Sequence, residues 1–266
     1  MKNQQRLFAL LSAGGGTAVL LFTLLFSLTR PLQAMSCNVS GGGSIQSAID
    51  DVNCDTIIVA AGTFMENLNI GRSLTIQGAG ASGTIIDGGG NGRVVTINGS
   101  VTVYLDNLRL TNGDATGESI RFREGGAIAV LVTTQEAQLM VNGDRFLNNI
   151  ANASLDDFDT NEHTGGGAIS LMAMNTAGRI TGTITSAYMS GNAAKAGNTN
   201  TGEGRGGAIH ARGATLIVRQ STIMDNISDA RGVEGFGGGV YIREPDTGDY
   251  LEVVGSALAG NTAANS

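Results

Sequence analysis

The sequence predicts an all-β chain wound as a parallel solenoid, on three observations. A Gly-Gly pair followed by small and apolar residues recurs at Gly125-Gly126-Ala127-Ile128, Gly166-Gly167-Ala168-Ile169, Gly206-Gly207-Ala208-Ile209 and Gly237-Gly238-Gly239-Val240. Each copy is followed by an apolar residue three places before an asparagine: Phe146 and Asn149, Met189 and Asn192, Ile223 and Asn226, Leu258 and Asn261. Seven and five residues before each of those apolar positions stand Leu139 and Val141, Gly182 and Ile184, Leu216 and Val218, Leu251 and Val253. Side chains two apart on a strand share a face. The same inward columns therefore recur in every unit, and each unit needs a stacked neighbour to cover its apolar face.

Composition agrees. The 266 residues include 41 glycines, 2 prolines and no tryptophan, which suits many tight turns. The glycines lack the period of three that collagen requires, and the repeated Val, Ile and Leu columns argue against a disordered linker. The formal charge is −7. An acidic chain without a basic face excludes nucleic acid as a partner class and suits the cell exterior.

Residues 1–34 read as an export signal. Lys2 and Arg6 precede an apolar run from Leu7 to Leu28, and Leu32-Gln33-Ala34 ends on a small residue suited to cleavage. An uncleaved anchor is left open, because the run is long enough to span a bilayer. Lipidation at Ala34-Met35-Ser36-Cys37 is a further alternative. Membrane contact is expected through this segment only, with residues 35–266 as one exported domain. Cys37 and Cys54 are the only cysteines, and in an oxidising compartment they are expected to pair. Two buried thiols are the alternative.

Ile45, Ala48, Ile49 and Val52 fall on one helical face behind Ser44, a natural N-cap. A short amphipathic helix placed ahead of a solenoid can cover the first coil's open end. Short β-branched runs follow at 56–64, 73–78, 84–88, 94–97 and 101–110, punctuated by Gly, Asn and Asp. Asn112 stands two rather than three residues past Leu110, so this coil is expected to slip by one.

Between each Asn turn and the next Gly-Gly strand lies a variable segment: Gly113 to Glu124, Asn152 to Thr164, Lys195 to Arg205 and Asp229 to Phe236. These leave the coil at equivalent points and are expected to line one edge, where binding is sought. The chain given stops at Ala263-Ala264-Asn265-Ser266, just past an Asn turn. The expectation there is either a longer protein or an end that docks onto something.

The alternation of G-G-A-I strands with turns such as Phe146-Leu147-Asn148-Asn149-Ile150-Ala151 resembles the right-handed parallel β-helix repeats of the polymorphic outer membrane protein type. The opening Ile57-Ile58-Val59-Ala60 to Phe64, Leu74-Thr75-Ile76 and Thr84-Ile85-Ile86-Asp87-Gly88 is similar to the first coils of pectate-lyase-like β-helices. The resemblance implies a right-handed helix with a helical N-terminal cap. Its functional message is broad, since such solenoids serve as adhesins, passenger domains and polysaccharide enzymes.

Candidate sites are few. Asn149, Asn192, Asn226 and Asn261 are expected to form a structural ladder, each tolerating left-handed backbone and bonding to the asparagine one coil away. Alternation along the Gly-Gly strands puts Ala129, Ser170, His210 and Tyr241 in one outward column and Leu131, Met172, Arg212 and Arg243 in the next. His210, Arg212, Tyr241 and Arg243 could grip a uronate carboxylate; the alternative is a solvated strand face. Asp156, Asp157, Asp159, Glu162 and His163 form the densest polar cluster and a candidate binding loop. Asp157, Asp159 and Asn161 alternate like half of a Ca²⁺ loop, although Glu162 stands where a turn glycine belongs. Ca²⁺ is the one cofactor considered.

Polygalacturonase-like enzymes carry N-x-D, D-D, G-H-G and R-x-K in order; Asp156-Asp157 supplies a D-D, but neither G-H-G nor R-x-K occurs. The expected function is therefore non-catalytic: a secreted or surface protein whose edge loops contact a host or neighbouring cell surface, matrix or polysaccharide. A polysaccharide lyase, hydrolase or epimerase using the His210 face is the second reading, and a structural segment of a surface protein the third.

Overall fold

The computed structural model describes residues 35–116, 123–152, 163–175, 177–196, 203–230, 235–243 and 250–265. Among these, the strands form five parallel sheets of eight, six, seven, four and three strands. Apart from the first two strands of the eight-stranded sheet, neighbours within a sheet are not consecutive in sequence, because each strand lies beside its counterpart one coil away. This is a stack of coils, as the repeats predict.

The eight-stranded sheet shows how the sequence sets the register. Leu139 opposes Val103 and Gly182, and Leu216 opposes Gly182 and Leu251, so equivalent residues form inward columns. Val103, Leu139 and Leu216 are fully buried. Each such side chain contributes about 1.5–3 kcal/mol by leaving water. Strands of two to seven residues would not persist alone, so stacking holds them. Gly182 interrupts the aliphatic column because Leu171 of the neighbouring sheet fills its space; a Cβ there would sit 2.5 Å from Leu171 Cδ1.

The asparagines form the expected ladder. Asn149 Nδ2 donates to Asn192 Oδ1, Asn192 Nδ2 to Asn226 Oδ1 and Asn226 Nδ2 to Asn261 Oδ1, each at 2.9 Å. The backbone N–H groups of Asn149, Asn192 and Asn226 donate to the same oxygens. The left-handed backbone, however, belongs to the residue before each ladder asparagine: Asn148, Gly191, Asp225 and Gly260. That corrects the reading of Asn112. Its φ is 53°, so it takes the left-handed position, and Gly113 takes the ladder position, donating its N–H to Asn149 Oδ1 at 2.9 Å. Leu110 pairs directly with Phe146, so the coil does not slip.

The helix spans Ile45–Asp50, with Ser44 accepting from the Ser47 N–H. It is shorter than the periodicity suggests. The chain turns extended at Asp51, and Val52 is 76% exposed rather than part of the apolar face. Ile45 and Ile49 are buried in the core. Glu66 reinforces the helix start by accepting from the N–H groups of Ile45 and Gln46. Cys37 and Cys54 are joined in a disulfide that ties the first strand to the residues after the helix. Asp51 lies close to both sulfurs, but bonded sulfurs offer no thiolate to a metal.

At the far end the inward columns open. Leu251, Val253 and Leu258 continue the columns of Leu216, Val218 and Ile223, yet they are 43%, 40% and 47% exposed.

Candidate functional site

The outward face of the Gly-Gly strands has the register expected from alternation. Ala129, Ser170, His210 and Tyr241 form one column, and Leu131, Met172, Arg212 and Arg243 the next. The alternative of a solvated strand face does not hold for Ala129, Ser170 and Met172, which are buried, nor for His210, which is 1% exposed. A second layer covers them.

That layer is built by the residues immediately preceding each Gly-Gly pair. Glu124 bridges to Gly165, Gly165 pairs with Arg205, and Arg205 pairs with Phe236. Each coil bends sharply after this residue, and the first glycine of each pair supplies the positive φ that the bend needs, as at Gly206 with φ 62°. The bend folds the column Glu124, Gly165, Arg205, Phe236 back over the column Ala129, Ser170, His210, Tyr241.

Where the columns meet, polar groups pair. Glu124 Oε2 accepts a hydrogen bond from Ser170 Oγ at 2.5 Å and lies 2.9 Å from His210 Nδ1. Glu124 reaches across two coils because Gly165, which lies between, has no side chain. A Cβ on Gly165 would collide with the His210 ring. Burial pushes the Glu124 carboxyl up, but attraction to His210, hydrogen bonds from His210 and Ser170, and the charge of Arg205 outweigh it and hold it below its ordinary range. Glu124 is therefore a buried carboxylate. Arg205 is itself bound to Glu203. On its other side His210 stacks on Tyr241, with ring centroids 5.7 Å apart, and Tyr241 stacks on Phe236 at 5.5 Å.

This arrangement has defined chemical capacity. Glu124 fixes the Nδ1 side of His210, leaving Nε2 as the nitrogen that could take a proton or a ligand. His210 Nε2 is buried without a hydrogen-bond partner. Ser170 donates to the carboxylate rather than to the imidazole, so it is not an activated nucleophile of the triad kind.

Comparison of the chain with protein-family models, curated proteins and solved structures returns no match. The site must be judged on its own geometry.

The other expected residues are distributed as follows. Tyr241, Arg243 and Arg212 are half-buried beside His210. The cluster Asp156, Asp157, Asp159, Asn161 and Glu162 lies outside the described residues. His163 enters only as a strand residue whose backbone pairs with Glu203. Sequence reasoning missed Glu124 as the partner of His210. Its signal was position, since Glu124, Gly165, Arg205 and Phe236 all directly precede a Gly-Gly pair.

Proposed function

We propose that this chain is an exported right-handed parallel β-helix that acts by recognition, presenting its four variable segments as one row of contacts. The observation that carries this reading is the stacking of the segment roots. On the departing side, Ile150, Ala193, Ile227 and Thr262 lie in register, and Asp114 bridges to Ile150. On the returning side, Glu124, Gly165, Arg205 and Phe236 do the same. Segments with roots at one coil spacing, about 4.8 Å, offer a repetitive surface suited to extended or repeating ligands.

The buried zipper supports the non-catalytic choice. Its carboxylate is engaged twice and its imidazole is closed from solvent, which suits a clamp between layers better than a turnover site. In this reading the helix Ile45–Asp50 caps the N-terminal coil and the leader directs export. The ligand is a cell surface, matrix or polysaccharide, met with or without Ca²⁺ bridged by Asp157, Asp159 and Asn161.

The test is binding of the purified full chain to immobilised pectin, alginate and matrix proteins, with and without Ca²⁺, before and after the loop 153–162 is shortened. Recognition predicts binding that the shortening removes while the circular dichroism stays β-rich. Unchanged binding after all the segments are shortened in turn refutes it. The buried but unpartnered Nε2 of His210 favours a second reading, a polysaccharide-cleaving enzyme. Release of unsaturated or reducing ends from those polysaccharides, lost in H210A, would establish it instead.

A further inference from the structure

At the bend into the seven-stranded sheet, one position recurs in every coil. The paired residues that follow it, Ile85, Arg109, Arg145, Tyr188, Thr222 and Ala257, place Thr84, Leu108, Asp144, Ala187, Ser221 and Ser256 in a single column. Its two serines have a shared task. Ser221 Oγ accepts from the Ala187 N–H at 3.1 Å and donates to the Arg219 carbonyl at 2.8 Å. Ser256 Oγ accepts from the Ser221 N–H at 3.0 Å and donates to the Val254 carbonyl at 3.1 Å. Each thus serves the coil before it and closes its own bend two residues back.

Asp144 does the first half of this task with a carboxyl group. Its Oδ1 accepts from the Leu108 N–H at 2.6 Å. The side chain is fully buried, and Oδ2 has no hydrogen-bond partner. A buried carboxylate oxygen without a donor is costly, whereas a protonated one can donate as the serines do. The equivalent acceptor, two residues back, is the Asn142 carbonyl.

We propose that Asp144 is a neutral carboxylic acid in the folded chain, standing in for a serine hydroxyl, and that its ionisation loosens this bend and makes the solenoid sensitive to rising pH. Electrostatics agree: burial and the nearby carboxylate of Asp106 push the Asp144 carboxyl up to about 8, against hydrogen bonds from Leu108 and Asn142. The charged and titratable groups on the adjoining strands are Asp106 in the preceding coil, Arg109 and Arg145 just past the bend, and Tyr188 in the following coil.

The sign follows from proton binding. The folded chain holds a proton that the unfolded chain releases near the ordinary value of 3.8. Stability is therefore fully present below that value and is lost as pH rises through the folded value. Across pH 5 to 8 the folding equilibrium constant should fall about tenfold per pH unit from this group.

The experiment is denaturant unfolding of the full chain at pH 5, 6, 7 and 8, in wild type, D144S and D144N, with infrared spectra of the folded proteins. The expected result is a wild-type midpoint that falls with pH, a shallower dependence in both variants, and a protonated-carboxyl band at pH 6 that D144N removes. An unaltered slope in the variants, or the absence of that band in wild type, overturns the proposal. The infrared reading stands even where D144S fails to fold.

Discussion

His210 Nδ1 lies 2.9 Å from Glu124 Oε2, although 86 residues separate them. They meet because two coil spacings, about 10 Å, are within reach of a glutamate and a histidine aimed at each other across a glycine. The pair is buried, so its loss should be felt in folding. H210A should destabilise by about 3–5 kcal/mol, the range for stranding a buried charge. E124Q should cost less, because the amide can still accept from Ser170. Chemical denaturation of the variants and the double variant measures the coupling, which should be well above zero.

The same contact predicts a limit in acid. The Glu124 carboxyl is held below its ordinary range in the fold. Its contribution is present above the unfolded value of 4.5 and is lost as pH falls through the lower folded value. Wild type should therefore show a steeper loss of stability below pH 4.5 than E124Q, read from thermal midpoints across an acid series.

Gly165 should tolerate no side chain. A Cβ there would meet the His210 ring and its Cβ. G165A should destabilise by about 1–3 kcal/mol, as overpacking does, and G165A combined with H210A should cost less than the sum of the two. Additive costs would show that the two residues do not touch.

The asparagine ladder predicts a gradient along the solenoid. Asn192 is fully buried; its Oδ1 accepts from the Asn149 N–H and Nδ2, and its Nδ2 donates to the Phe146 carbonyl at 3.0 Å. N192A strands several of these groups at about 1–3 kcal/mol each. Asn261 sits at the more open end, half-buried, so N261A should cost less. Hydrogen exchange should show Asn149 N–H exposed early in N192A and retained in N261A.

Reducing the Cys37–Cys54 bond should lower stability by about 2–4 kcal/mol, with the first coil and the helix exchanging before the rest. A midpoint that does not move on reduction would assign the bond no structural role.

The solenoid was legible because its signals are periodic: aliphatic pairs, Gly-Gly bends and asparagines recur at matched positions, and stacking turns recurrence into columns. Two kinds of feature were not. The helix end at Asp50 and the exposed Val52 depend on where the chain must turn into the next strand, which periodicity does not encode. Burial of the His210 column depends on a second layer folding back. Alternation located His210 on the outer side of its strand but could not show that Glu124 and Gly165 cover it. Asn112 was misjudged because asparagine serves both the left-handed position and the ladder position, and only the positive φ it shares with Asn148 tells them apart.

The most direct test is a series of distances between spin labels along one outward column. Thr75, Tyr104, Met140, Thr183, Ile217 and Glu252 follow one another strand by strand. With one label at Thr75 and the second at Thr183, Ile217 or Glu252, stacked coils predict separations near 14, 19 and 24 Å, about 4.8 Å per coil. Separations that fail to rise in equal steps, or that bring Glu252 closer to Thr75 than Thr183 is, would contradict the stacked arrangement.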